Sequence, residues 1–313
     1  MKTNVYEPRF QNADAAREHL EGIHWPDGPV CPHCTSGDDQ KRLKGKSHRA
    51  GLVQCNGCRK QYTVTVGTLF ERSKVPLNKW LLATHLMCSS KKGISAHQLH
   101  RMLGVTYKTA WFMAHRIREA MVPGDNGPMG GPGSDVEADE TYWGKNPDKA
   151  GNRMAIHRMN RIVSLVDRTT GRSTSVVFNG QFNADTISDY LYTRVDRKSR
   201  LLTDDAQAYK RPGYEFASHR SVNHTQDEYV NLQDRSIHTN TVEGFFGIFK
   251  RGMRGIYQHC AQKHLQRYLA EFDFRYSNRS GRGIEDSERT DIALKGIAGK
   301  RLTYRRTSGL AAA

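Results

Sequence analysis

Two Cys-x-x-Cys pairs, Cys31-Pro-His-Cys34 and Cys55-Asn-Gly-Cys58, stand twenty residues apart near the start of this 313-residue chain, and no other feature limits its fold so sharply. Four thiolates at that spacing close a tetrahedron around Zn²⁺, which leaves no open position for a substrate and makes the site structural. His33 and His48 are alternative ligands, superfluous beside four paired thiols. The stretch Val53 to Leu69 is rich in β-branched residues with some alternation, the pattern of a short hairpin carrying the second knuckle. Phe10, Ala13, Ala16 and Leu20 lie roughly on one face of a short helix before it. Six cysteines, four of them in these pairs, fit metal binding in a reducing compartment better than a disulfide scaffold.

The charge then narrows the partner. Forty-eight Lys and Arg against thirty-two Asp and Glu give a net +16 and a pI near 9.7, which favours a polyanion. No run approaches the eighteen or so apolar residues of a spanning helix, and the first twenty residues hold no apolar core of signal-peptide type. The expectation is therefore a cytoplasmic protein, associated with the nucleoid, with no membrane partner. Pro76 opens a helical pattern carrying Trp80, Leu81, Thr84 and Met87, and Lys91-Lys92-Gly93 ends it. Ser95 with Gln98 reads as a capping box, Leu103-Gly104-Val105 as a turn, and Thr106 as the start of a helix that buries Ala110, Met113, Ala114, Ile117 and Met121. That is a helix-turn-helix. Its second helix would offer Tyr107, Lys108, Thr109, His115 and Arg116 to the major groove of double-stranded DNA. Val122 to Ser134 carries five glycines and three prolines in thirteen residues and reads as a linker.

Beyond the linker the acids fall at element ends. The sequence SDVEADETYWG alternates as a strand with Glu137 and Asp139 on one face. Residues 161–168 and 173–179 read as two further strands around a Thr169-Thr170-Gly171-Arg172 turn, Asn183 caps a helix to about Val195, and LLTDD is a short strand running into Asp204 and Asp205. The helix that follows, within His238 to Arg254, has an apolar stripe of Val242, Phe245, Phe246, Phe249 and Met253. On another face stand Glu243, Gly247, Lys250 and Arg254. Strands and helices together predict a mixed sheet flanked by helices. Asp139, Asp204 and Glu243, drawn from three separate elements, are the candidate ligands of a divalent cation that takes hard oxygen donors. Two such ions would suit an in-line displacement at phosphorus. Lys145, Lys149, Arg153, Arg158, Arg161 and Lys250, with Arg251 and Arg254, are the candidate phosphate contacts.

The ordered motifs CxxC, CxxC, LGVTYKTAW, VEADETYWG, LLTDDAQAY, HTNTVEGFFGIFKRGMRGIYQH and HLQRYLAEFDFRY make roughly residues 10 to 300 similar to the zinc-ribbon DDE transposases of bacterial insertion sequences, the family numbered 1595. The resemblance implies a multidomain α+β chain. Residues 1–72 would form a zinc ribbon with an N-terminal helix, 73–121 a helix-turn-helix, 122–134 the linker, 135–280 a ribonuclease-H-like mixed α/β catalytic domain, and 281–313 a C-terminal helix and flexible tail. It implies Mg²⁺ or Mn²⁺ as the catalytic cation, and Asp139 and Asp204 as the first and second catalytic aspartates. The third position is Glu243 or Asn240, one turn apart, with Glu243 preferred; Glu140 and Asp205 adjoin the two aspartates. The implied activity is binding to terminal inverted repeats, DNA cleavage and strand transfer into target DNA, by a homo-oligomer assembled on DNA. Two alternatives stay open: a DNA-binding regulator without catalysis, and a ribonuclease-H-like nuclease without strand transfer.

Overall fold

The computed structural model describes residues 5–124, 127–146, 158–223 and 230–303. The chain divides into two compact units, one formed by residues 1–90, 94–122 and 285–313, the other by residues 91–93 and 123–284.

The first unit begins with helices α1 (Pro8–Gln11) and α2 (Ala13–His24). Asn12 caps α2 by accepting from the amides of Asp14 and Ala15. Three short antiparallel strands follow, β1 (Gln40–Arg42), β2 (Val53–Cys55) and β3 (Gln61–Tyr62), in the order β1-β2-β3 with Gln40 opposite Cys55 and Val53 opposite Tyr62. Then come α3 (Leu77–Ser89), α4 (Ala96–Leu103) and α5 (Tyr107–Ala120). Ser95 accepts from the Gln98 amide to start α4, and Gly104 ends it at φ 59°, a left-handed conformation in which glycine avoids the Cβ penalty. Thr106 then caps α5 by accepting from the Thr109 amide.

The second unit is a five-stranded sheet with helices on both faces. Its strands are β4 (Asp135–Lys145), β5 (Met159–Asp167), β6 (Ser173–Phe178), β7 (Arg200–Asp204) and β8 (Ser218–Val222), ordered β6-β5-β4-β7-β8. β4, β5 and β6 run antiparallel, whereas β7 is parallel to both β4 and β8. Alternation along the strands sends Val136, Ala138, Val163 and Leu165 to one face, where they pack with Ile187 and Leu191 of α6 (Ala184–Arg194) and Tyr209 of α7 (Gln207–Gly213). Ile162 and Val166 go to the other face. There they meet Val242, Phe245, Phe246, Phe249 and Met253, the stripe read from the sequence, on α8 (Asn240–Gly252) and the π turn that continues it, with Leu265, Leu269 and Phe272 of α9 (Gln262–Ser277) behind.

Part of the glycine- and proline-rich stretch expected as a linker belongs to this packing. Met129 is 2% exposed, its amide donates to the Arg194 carbonyl, and its carbonyl accepts from the Asp196 amide. A buried side chain with both backbone groups satisfied is not a free tether.

The chain then supplies the first unit with α10 (Asp286–Lys295). Arg289 donates to the Cys88 carbonyl, Thr290 bonds His85, the Leu69 amide donates to the Ile297 carbonyl, and Lys300 donates to the carbonyls of Glu119 and Val122 at the end of α5. The C-terminal helix expected from the sequence is therefore an integral part of the N-terminal unit. The expected flexible tail lies, from residue 304 on, outside the described residues.

Candidate active site and metal centres

The carboxylates gather because of strand register. Parallel pairing of β4 with β7 ends at Glu137 opposite Leu202, and Asp139 and Asp204 each lie two residues further along their strands. Both acids therefore point to the same side at the carboxyl end of the parallel pair, a place where open α/β sheets bind ligands. Asp139, Glu140 and Asp204 offer oxygens that all lie within 4.8 Å of one another. Asp139 accepts from the Glu140 amide at 2.7 Å, and Asp204 accepts from the Ala206 amide at 3.2 Å where α7 begins. The Tyr209 hydroxyl donates to Glu140 at 2.9 Å.

Crowding shows in the protonation. Burial, then the charges of Asp204 and Glu140, push the Asp139 carboxyl up to about 8, with Glu243 adding to the repulsion. Burial and Asp204 also raise Glu140. Burial and the neighbouring carboxylates drive the Tyr209 hydroxyl well above its ordinary value. A set of hard oxygen donors that repel one another in this way is suited to a divalent cation, whose charge removes the repulsion.

Glu243 and Lys250 sit on α8 beside the cluster. Glu243 is half-buried and accepts from the Thr239 hydroxyl at 2.8 Å. Asn240, the alternative third position, is exposed at the first residue of α8. Burial and Arg254 lower the Lys250 ammonium pKa, and Asp139 partly offsets this. A Cβ on Gly247, between the acid and the lysine, would meet nothing nearer than the Arg251 guanidinium at 3.7 Å. Internal packing thus gives no reason for that glycine.

The second centre lies in the first unit. Cys31, Cys34, Cys55 and Cys58 bring four sulfurs within 4.8 Å, with Cys31 to Cys58 and Cys34 to Cys55 at 3.6 Å and no disulfide. Zinc–sulfur bonds of about 2.3 Å in a tetrahedron place sulfurs about 3.8 Å apart, so the donor set fits Zn²⁺. The His33 amide and the Gln40 side chain donate to the sulfurs of Cys31 and Cys55. His33 and His48 are exposed and do not join the cluster.

The residues expected to meet DNA divide. Tyr107 is 45% exposed with its ring 4.2 Å from that of His97, Lys108 is exposed, and Thr109 is half-buried with its hydroxyl on Thr106. His115 does not reach the surface: it is 1% exposed, with its ring 4.1 Å from that of Trp111. Arg116 is also turned inward, lying over Phe112 and donating to the Leu302 carbonyl. The helical spacing that carries Tyr107 outward brings positions 115 and 116 round toward the packed face of α5. Lys145, Arg158, Arg251 and Arg254 are exposed, whereas Arg161 donates to the Tyr142 hydroxyl and lies over Phe182. Lys149 and Arg153 lie outside the described residues.

Sequence reasoning gave Glu140 only second rank and missed Tyr209 and Thr239. The spacing of Tyr209 from Asp204, one helical turn into the element that follows the acid, was a usable signal.

Residues 11–61 match the family model described as a transposase zinc-ribbon domain, and residues 130–277 match the ISXO2-like transposase domain. Both are transposase domains. The chain is also 28% identical over 297 residues, 88% of its length and 92% of the relative's, to an uncharacterized protein in transposable element ISH50 of Halobacterium salinarum. That relative is archaeal, whereas the resemblance read from the motifs was to bacterial elements. A solved structure, a simian T-cell lymphotropic virus intasome in complex with PP2A regulatory subunit B56 gamma, aligns with 13% identity and a TM-score of 0.31 over 62% of this chain and 65% of that one, a likeness too weak to inform the fold. Among the described residues, no helix is long and apolar enough to cross a membrane.

Proposed function

We propose that this chain is the transposase of an insertion sequence, that it binds the element's terminal inverted repeats, and that it cuts and joins DNA at the carboxylates of its second unit. The observation that carries the reading is the placement of Asp139 and Asp204, each two residues past the end of parallel pairing, within one match to a transposase domain. The strand order β6-β5-β4-β7-β8, with three antiparallel strands followed by two parallel ones, supports the ribonuclease-H-like assignment.

Asp139, Asp204 and Glu243 would hold Mg²⁺ or Mn²⁺, with Glu140 beside them. When bound, the cations supply charge to the attacking and leaving oxygens of an in-line displacement at phosphorus. In the first step a water oxygen bonds to phosphorus at the element's end, the P–O3′ bond breaks, and the 3′-oxygen leaves as a hydroxyl. In the second, that 3′-oxygen bonds to a target phosphorus and displaces the target's own 3′-oxygen, which takes up a proton. The chain's own part is to fix the carboxylates, to present Lys250, Arg251 and Arg254 to phosphates, and to leave the α8 face open at Gly247 for a closely approaching backbone. α4 and α5 act as the helix-turn-helix, with Tyr107, Lys108 and Thr109 toward DNA. Zn²⁺ on the four cysteines is structural. A homo-oligomer assembles on the paired ends, at the nucleoid.

The test uses labelled repeat-end DNA with Asp139→Ala, Asp204→Ala, Glu243→Ala, Glu140→Ala and Asn240→Ala. Loss of cleavage by at least about 10²-fold in the first three, with repeat binding kept, is the expected result. Cleavage at wild-type rate in the two aspartate variants would overturn the assignment of the chemistry to these carboxylates, and repeat binding without cleavage by the wild type would leave only a DNA-binding role. Cleavage without joining would favour a nuclease.

A further inference from the structure

Helix α8 lacks the usual arrangement at its N-terminus. Thr239 occupies the cap position, 0% exposed, yet its hydroxyl makes no capping bond to the helix backbone. It donates instead to the Glu243 carboxylate at 2.8 Å. The amide of Val242, which a capping side chain would ordinarily satisfy, donates at 2.7 Å to Glu137 on the neighbouring strand β4. Glu137 is itself 0% exposed and two residues before Asp139. A buried carboxylate needs a partner, and Arg168 provides it with Nε at 2.5 Å.

Arg168 does more than neutralise. Its remaining nitrogens donate to the Ser236 carbonyl at 2.6 Å and the His238 carbonyl at 2.7 Å, the last turns of chain before α8. Arg200 repeats the pattern, pairing with Asp135 of β4 at 2.6 Å and donating to the Ser236 hydroxyl at 2.9 Å. The approach to α8 is thus fastened to the strand that carries Asp139.

We propose that Glu137, Arg168 and Thr239 are positioning residues of the carboxylate site: Glu137 caps α8 from β4, Arg168 holds the preceding loop to the same strand, and the Thr239 hydroxyl, released from capping, orients Glu243. The effect is that the third carboxylate takes its position from the strand bearing the first. This rests on the reading of Asp139, Asp204 and Glu243 as cation ligands.

The test measures Mn²⁺ binding to the full-length zinc-loaded protein, by the electron paramagnetic resonance signal of free Mn²⁺, alongside cleavage of repeat-end DNA across a Mn²⁺ series. Thr239→Val keeps the shape and removes the hydroxyl; Thr239→Ser restores it. Removing such a partner of a ligand should weaken Mn²⁺ binding by about 10-fold or more. Thr239→Val should show that loss with an unchanged melting temperature, and with cleavage recovering as Mn²⁺ is raised, while Thr239→Ser behaves as wild type. Glu137→Gln, which keeps an acceptor for the Val242 amide but loses the pairing charge, should show the same direction. Wild-type Mn²⁺ binding and metal dependence in Thr239→Val overturns the proposal. Asp139→Asn separates the two levels: if it keeps Mn²⁺ binding, the cation reading itself fails, whereas its loss beside an unaffected Thr239→Val refutes the positioning role alone.

Discussion

Replacing Asp139 with asparagine should stabilise the second unit when no divalent cation is present. The folded chain holds the Asp139 proton up to about 8, because burial and the charges of Asp204 and Glu140 oppose ionisation. The unfolded chain releases it near pH 3.9. Between those values the native state binds the extra proton, so stability falls as pH rises through this window. At about 1.4 kcal/mol per pH unit the cost near pH 8 has a ceiling of about 5–6 kcal/mol. Asp139 is half-buried, and the effective dielectric of such a partly wet site reduces the realised gain to on the order of 1–3 kcal/mol. Asparagine keeps the shape without the charge, and for a unit of this size the gain corresponds to about 3–10 °C in Tm. Calorimetry of the second unit's transition in magnesium-free buffer should show Asp139→Asn melting higher at pH 8, with the difference closing near pH 4. Added Mg²⁺ should reverse the order, because only the wild type gains binding energy. A variant that melts at or below the wild type at pH 8 without metal would refute the electrostatic reasoning.

Purified protein should contain one Zn²⁺ per chain by metal analysis, and Cys55→Ser should lose it together with the folded state of the β1-β2-β3 sheet. Gly247→Ala should raise the melting temperature, since α8 gains up to about 1 kcal/mol of propensity at no steric cost, yet slow cleavage of repeat-end DNA; unchanged cleavage would show that no backbone comes close there. Lys108→Ala should weaken repeat binding and lower the salt slope by about 1, whereas His115→Ala should lower the first unit's melting temperature, as expected of a residue 1% exposed. A fragment of residues 1–122 should fail to show a cooperative melt unless residues 285–303 are supplied, because α10 and the segment after it, bonded to Gly67 and Leu69 of that unit, complete it.

Local signals carried the sequence reading a long way. The cysteine spacing, the Ser95 cap, the helix start at Thr106, the Asn183 cap and the α8 stripe are all short-range patterns, and each corresponds to an element in place, with Thr106 itself the cap of α5. Asp204 was legible as a strand-end acid and does end β7, whereas Asp139, read the same way, lies mid-strand in β4 opposite Ser164 of β5, because β4 runs on to Lys145 along its antiparallel partner. Their meeting depends on the parallel register of β4 with β7, which no local pattern encodes. The same limit hid Glu137: its alternation marked a strand face, but its use as a helix cap arises from a partner 105 residues away. His115 misled because a basic residue at helical spacing looks the same whether the adjoining aromatic ring covers it or not. Met129 misled because glycine and proline around it masked a single apolar residue with a socket in the core.

The discontinuity of the first unit sets an order of events during synthesis. Residues 123–284 must be translated before α10 exists. At about 5–20 residues per second that interval lasts roughly 8–30 s, long enough for the second unit, contiguous in sequence apart from residues 91–93, to fold while the N-terminal helices still lack their closing partner. The usual vectorial sequence, first domain first, is inverted. A nascent chain interrupted between α9 and α10, after residue 277 and before residue 286, would carry the complete sheet, its covering helices and its carboxylates beside an unfinished first unit.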